Sequence, residues 1–425
     1  MGPELAQIWE LVEAGDVQGV LRGLRPIADT IGIEDLARVM GRVAGVVGFT
    51  DLVDASAAVA ADPANPIGLY DFGYGCVEHG VAYLAVPALS AALRAAPESR
   101  RVLTELVAAL ESEYRHQEAV TLLAEREPTL RDWPERYLLV FNAIMAGRLD
   151  VAARHFERLT EPEDRQWAPA RERVRHMLDR AALARTVRPL DGEDLRGWHF
   201  VVGGGVLATL SPYGFQHGMT GRYAYLQDDY GHCLRGLHRL RLILRAAGRR
   251  PATVSLLPDR SSQILGRAAA ELFGLPAVPF DPSLQDTVVV AYDLSDVDQQ
   301  SAAALRERAP GQVLFEQATC WTQPPAVTAD VSGLLSQFVV PPWGERLGGG
   351  PDNEVSQEPA DDRPVETLAA QVLGADPKPD TGDGETPEDS DESLSAFVAG
   401  LRDLWLTGPR DRMRSPGPVR SSRFA

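Results

Sequence analysis

The chain has 425 residues, 42 basic against 60 acidic, and among the basic residues only Lys378 is a lysine. Lys378 sits in the run Asp376-Pro-Lys-Pro-Asp380, so P-loop, protein-kinase and pyridoxal chemistry, each built on a precisely placed lysine, are excluded. The cysteines Cys76, Cys233 and Cys320 have neither zinc nor disulfide-framework spacing and read as reduced thiols; with acidic Glu10 and Glu13 ahead of any basic residue and no secretory signal, a cytoplasmic protein is expected.

Residues 1–186 show helical periodicity and a fixed repeat. The clearest unit begins near Pro66, with Leu69 and Gly73 in its first helix, Ala85, Leu89 and Ala92 in its second, and Pro97 closing it. Ala85, Ala119 and Ala152 follow one another at 34 and 33 residues, and Leu89, Leu123 and Phe156 keep the same steps. Gly80, Tyr114 and Gly147 align as turns, Gly15-Asp16 looks like the turn of a further hairpin, and Ala58 precedes Ala92 by 34 residues. Such a period lets helix pairs, which cannot bury their apolar faces alone, stack on one another. The pattern resembles tetratricopeptide repeats, which implies an all-α solenoid holding a partner protein or peptide in a groove. Tyr74, Tyr83, Arg136, Tyr137 and Asn142 are candidates either for lining that groove or for packing.

From 187 to 345 the period changes to short apolar strands alternating with helices, which predicts an α/β domain with a mainly parallel sheet. Strands are expected at Trp198–Val202, Val206–Leu210, Ala252–Leu257, Ala277–Phe280, Thr287–Tyr292 and 312–316. Helices are expected at about 223–247, 262–274, 298–308 and 330–338. Gly197 to Gly221 carries no charged side chain; its glycines and Pro212 argue for buried irregular backbone and against a membrane span. Gly203, Gly205 and Ala208 satisfy G-x-G-x-x-A, but Ser211-Pro212 would break the helix a nucleotide needs there.

Two segments could carry chemistry. The order from Leu257 through Ser261, Ser262 and Gly274-Leu-Pro276 to Thr287–Asp298 resembles the core of type I phosphoribosyltransferases. The resemblance implies phosphate held near Arg260, Ser261 and Ser262, a helix cap from one of those serines, and Asp293 on a ribose hydroxyl. Asp296 and Asp298 stand where that family has its phosphate-binding Thr and Gly, so the transferase activity is not expected to survive. The second segment, 211–232, concentrates His217, Arg222, Asp228 and His232. These read either as a structural polar network or as catalytic candidates, with a divalent metal only in the enzymatic case.

Pro351 to Ser395 carries a net charge of −12 and Ala396 to Ala425 a net +4. Residues 346–392 are therefore expected to form a disordered acidic linker and 407–425 a basic disordered tail. Between them, 393–406 place Leu394, Phe397, Val398, Leu401, Leu404 and Trp405 on one helical face, suited to docking on the protein itself, on a partner or, least of all, on a membrane. The sequence reads as an adaptor with a degenerate or ligand-sensing α/β module. The alternative is an enzyme acting on a phosphorylated or nucleotide-like molecule. The acidic balance disfavours nucleic acid as a partner.

Overall fold

The computed structural model describes residues 2–349 and 355–421. The chain divides into two compact units between Ala168 and Pro169. The first unit is all helical, in five hairpins: α1 (Pro3–Ala14) with α2 (Val17–Leu24), α3 (Ile33–Val47) with α4 (Thr50–Ala61), α5 (Pro66–Glu78) with α6 (Ala82–Ala95), α7 (Arg100–Ser112) with α8 (His116–Ala124), and α9 (Tyr137–Met145) with α10 (Leu149–Arg158).

Each hairpin turns on a residue in the left-handed region: Gly15, Gly48, Gly80, Tyr114 and Gly147, with φ of 72°, 92°, 77°, 55° and 73°. A left-handed residue ends a helix without losing its last carbonyls to solvent, and glycine adopts that conformation without a Cβ clash. Tyr114 does so with a side chain attached. The small residues of the repeat act by contact: Ala85, Ala119 and Ala152 are fully buried, and a Cβ on Gly73 would meet the Leu89 side chain at 2.5 Å. The first hairpin region packs over later ones, since Tyr83 donates to the Leu21 carbonyl at 2.9 Å and Arg25 and Arg115 pair with Glu113 and Asp29. Of the expected groove residues, Tyr83, Arg136, Tyr137 and Asn142 are buried and only Tyr74 is exposed.

The second unit begins within α11 (Ala168–Ala184) and continues through α12 (Leu195–Gly203), β1 (Val206–Leu207), β2 (Tyr223–Gln227), α13 (Tyr230–Ala246), β3 (Thr253–Leu256), α14 (Arg260–Phe273) and β4 (Ala277–Pro279). Then come β5 (Thr287–Ala291), α15 (Gln299–Leu305), β6 (Val313–Cys320), β7 (Val331–Val340), a hairpin of β8 (Arg346–Gly349) and β9 (Val355–Glu358), α16 (Val365–Leu373) and α17 (Asp391–Leu401). The main sheet is parallel throughout, ordered β1-β7-β6-β5-β3-β4. The long β7 pairs with β1 near its start and with β2 near its end. Every residue of β5 is buried, as a strand covered on both faces requires. A Cβ on Gly266 of α14 would lie 3.8 Å from Val290, while Val289 and Ala291 pack with Leu305 of α15.

Several expectations are corrected. Trp198–Val202 is helix, not strand: Asp194 accepts the Gly197 amide at 3.1 Å, Gly204 caps the other end at φ 78°, and burial of every residue from Leu195 to Val202 erases the amphipathic signature that separates the two. The expected helix at 330–338 is the strand β7, paired on both edges, and that at 223–247 is β2 followed by α13. Segment 346–392 is not an unfolded linker, for it contains β8, β9 and α16, and α16 buries Leu368, Ala369 and Val372. Its charges are anchored too: Asp389 pairs with the buried Arg196 at 2.7 Å and with the buried Arg239. Helix α17 docks on this same unit, with Leu394, Phe397, Val398, Leu401 and Trp405 buried and the Trp405 indole donating to the Asp330 carbonyl at 3.0 Å. The basic tail is held as far as residue 421. Arg410 is 1% exposed and binds Asp330 at 2.7 Å, and Val419 is buried. Residues 350–354 and 422–425, which belong to the same expectations, lie outside the described residues.

Candidate functional site

In an open parallel sheet, ligands bind outside the carboxyl ends of the strands where the chain reverses its direction of progress. Here that point lies between β3 and β5, because α14 leads from β3 outward to β4 while the chain from β5 moves the other way to β6. The first turn of α14, after β3, carries Arg260, Ser261 and Ser262, and the segment after β5 carries Asp293, so the fold brings these four residues to the expected place.

Their functional groups, however, are engaged within the chain. The cap of α14 is Asp259, neither serine, and it accepts the Ser262 amide at 2.8 Å. Ser262 Oγ receives the Tyr292 amide at 3.1 Å, and Ser261 Oγ receives the Trp343 indole N–H at 2.9 Å. Arg260 donates to the carbonyls of Asp361 and Arg363 at 2.7 and 2.9 Å. Asp293 accepts the Ser295 amide at 2.8 Å. Burial, with Asp296 and Asp259 nearby, raises the Asp293 carboxyl above the usual carboxylate range. Behind it the fully buried Glu316 is pushed well up by burial and by Asp293 while accepting the Leu294 amide at 2.7 Å. Four carboxyl groups at one strand edge disfavour a phosphate.

Asp228 and His232 form a second centre at the end of β2 and the start of α13. Asp228 is fully buried and accepts the Tyr292 hydroxyl at 3.0 Å. His232 Nδ1 lies 3.3 Å from Asp228, and Nε2 lies 3.1 Å from Asp380 of the acidic segment. The hydrogen bond to Asp228 raises the imidazole to about 9, so it is a cation between carboxylates and serves as a latch. His217 is exposed on the loop between β1 and β2. Among the described residues no group of three His, Cys, Asp or Glu is placed to hold a metal ion.

Arg222 stands elsewhere. The ten residues joining β6 to β7, Trp321–Asp330, contain no helix, although a parallel crossover is usually a dozen or more residues with a helix to cover the sheet. The gap is partly closed by α12 and by residues 413–416, leaving a partly enclosed cavity of about 30 Å³. Leu195, Trp321, Val327, Leu335 and Met413 give it an apolar wall. His199, Arg222 and Ser332 also line it, and these three are 3%, 1% and 1% exposed. Each has a buried polar atom without a hydrogen-bond partner among the described residues: His199 Nε2, Arg222 Nε and Nη2, and Ser332 Oγ. Burial alone draws the Arg222 guanidinium down to about 9.

Sequence reasoning had selected Arg222 but neither His199 nor Ser332. One signal was present: the charge-free run from Gly197 ends on Arg222, and the next acidic residue is Asp228, so no local carboxylate was available to that cation. Compared with known proteins, the chain matches no protein-family model and no curated protein. Among the described residues no helix is long and apolar enough to cross a membrane.

Proposed function

We propose that the protein is a tetratricopeptide-like adaptor whose helical unit holds a partner peptide, joined to an α/β unit that resembles a phosphoribosyltransferase core and holds a ligand without transferring a phosphoribosyl group. The observation that carries this reading is a groove of about 760 Å³ in the helical unit, between α6, α7, α8 and the segment Asp29–Ile33. Val86, Leu106, Leu110 and Leu122 supply an apolar floor, and Arg94, Arg115, Glu118 and Glu125 a rim of both signs. That combination suits a short peptide with an apolar anchor flanked by charges. The engaged serines and clustered acids at the strand ends support the second half.

The test is peptide selection by display on the full chain, followed by titration against Ser90→Arg/Thr121→Arg, which fills the groove from two partly or fully exposed positions. Selected peptides are expected to lose at least tenfold in affinity for that variant while its circular dichroism is unchanged. Equal binding to both proteins would remove the groove as the partner site. Addition of phosphoribosyl pyrophosphate is expected to leave the melting temperature where it was; a saturable rise abolished in Asp293→Ala would return the enzymatic reading.

A further inference from the structure

A buried cation is strongly unfavourable unless a counter-charge and hydrogen bonds replace its lost water. The α/β unit follows that rule at three buried arginines: Arg196 and Arg239 share Asp389, and Arg410 holds Asp330. Arg222, equally buried, breaks it. Its Nη1 donates to the carbonyls of Arg420 at 2.8 Å and Met219 at 3.4 Å, and the guanidinium carbon lies 5.3 Å from the centre of the Trp321 ring. These contacts fix the plane of the group but bring no negative charge. What they leave open is Nε and Nη2, the two donors that share one edge of a guanidinium and form the fork that a carboxylate grips with both oxygens.

The rest of the cavity agrees with that fork. Ser332 Oγ, on β7, is a donor with nothing to donate to. His199, on α12, is lowered to about 4 by burial and by Arg222 and Arg196, so at neutral pH its imidazole is uncharged and available as a donor through Nε2. The volume of about 30 Å³ corresponds to roughly two water positions at 10–15 Å³ each in the same measure. A tetrahedral dianion is too large, and a planar anion of three or four heavy atoms fits. Apolar walls exclude competing water and strengthen the charge interaction.

We infer that the cavity between α12, the β6–β7 connection and residues 413–416 binds a small planar oxyanion of the carboxylate, bicarbonate or nitrate type. Two of its oxygens sit on Nε and Nη2 of Arg222, with Ser332 Oγ and His199 Nε2 donating to the anion from their sides of the cavity. The inference deepens the reading of the α/β unit as a ligand-holding module and does not depend on the groove of the helical unit.

The experiment is titration calorimetry and thermal denaturation of the full chain with sodium formate, nitrate and bicarbonate, at an ionic strength held constant with sodium gluconate. Saturable one-to-one binding with a rising melting temperature is expected, and affinity should fall from formate through acetate to butyrate as the cavity fills. Arg222→Lys, which keeps the charge and removes the fork, should bind formate at least tenfold more weakly. Ser332→Ala should lose at least threefold, and the groove variant Ser90→Arg/Thr121→Arg should bind formate as the wild type does. No saturable response beyond gluconate, undiminished binding by Arg222→Lys, or affinity rising with chain length would each overturn the site. Should the lysine variant fail to fold, Ser332→Ala decides alone, and undiminished affinity there overturns it. Peptide binding undiminished in the groove variant, with formate binding intact, would count against the groove only.

Discussion

The strand-end cluster around Asp228, Ser262 and Asp293 and the cavity around Arg222 contain the same kinds of side chain and differ in how completely the chain satisfies them. At the strand ends the carboxylate of Asp228 has the Tyr292 hydroxyl, Ser262 has the Tyr292 amide, and His232 has Asp380 through Nε2; the atoms left without a hydrogen bond there, His232 Nδ1 and Asp259 Oδ2, sit on side chains that have another partner. In the cavity, four buried polar atoms on three residues have none. A polar cluster in a catalytically inviting position can therefore be structural, and a poorly advertised one can be the place left open for a ligand, because an unpaired buried donor is costly only while nothing fills it.

Substitutions should separate the two regions, beginning with Asp228→Ala. This change leaves His232 beside a void and the Tyr292 hydroxyl unpaired, and it is expected to destabilise by about 3–5 kcal/mol in urea denaturation; a loss near zero would deny the cluster its structural role. Histidine titration comes next, with opposite signs in the two regions. His232 is raised from 6.5 to about 9, so its stabilisation is complete below about pH 6.5 and is lost as pH rises through 9. His199 is lowered to about 4, so its buried neutral form costs stability as pH falls from about 6.5 through 4. Melting temperatures of His232→Gln should be flatter than wild type on the alkaline side, and those of His199→Gln flatter on the acid side. Identical profiles would contradict the assignment.

Smaller effects draw the same line. Ser262→Ala removes the acceptor of a buried amide and should cost about 1–2 kcal/mol. Arg222→Met, measured in gluconate, removes an uncompensated charge and should be neutral or stabilising by about 1 kcal/mol; strong destabilisation would mean that its carbonyl contacts outweigh its burial. Ser332→Ala should stay within about 0.5 kcal/mol of wild type, since its hydroxyl bonds to nothing among the described residues.

Local rules were readable wherever local physics decides. The repeat in the first unit rests on residues that act on their immediate neighbours: a glycine that makes room for Leu89, alanines between helices, and left-handed turns at Gly15, Gly80, Tyr114 and Gly147. The strand Thr287–Ala291 showed itself by an unbroken apolar run, and the α14 region by its Gly274 cap at φ 67°. The same reasoning misjudged α12 and β7, where burial on all sides or pairing on both edges overrides the pattern. It missed Asp259 as the cap because the helix begins at Arg260, two residues before the expected start at Ser262.

Charge was the least local property. Composition makes residues 346–392 look unfoldable, and by itself that segment buries little. It is ordered by Arg196, Arg239 and His232, which lie about 150 to 190 positions earlier in the chain and offer Asp389 and Asp380 buried or half-buried partners. The sequence alone determined the helical period, the switch to an α/β sheet and the isolation of Arg222 from nearby acids. Tertiary structure decided which charges are paired, because ion pairing in a folded chain depends on distance in space and on exclusion of water, and neither is written along the sequence.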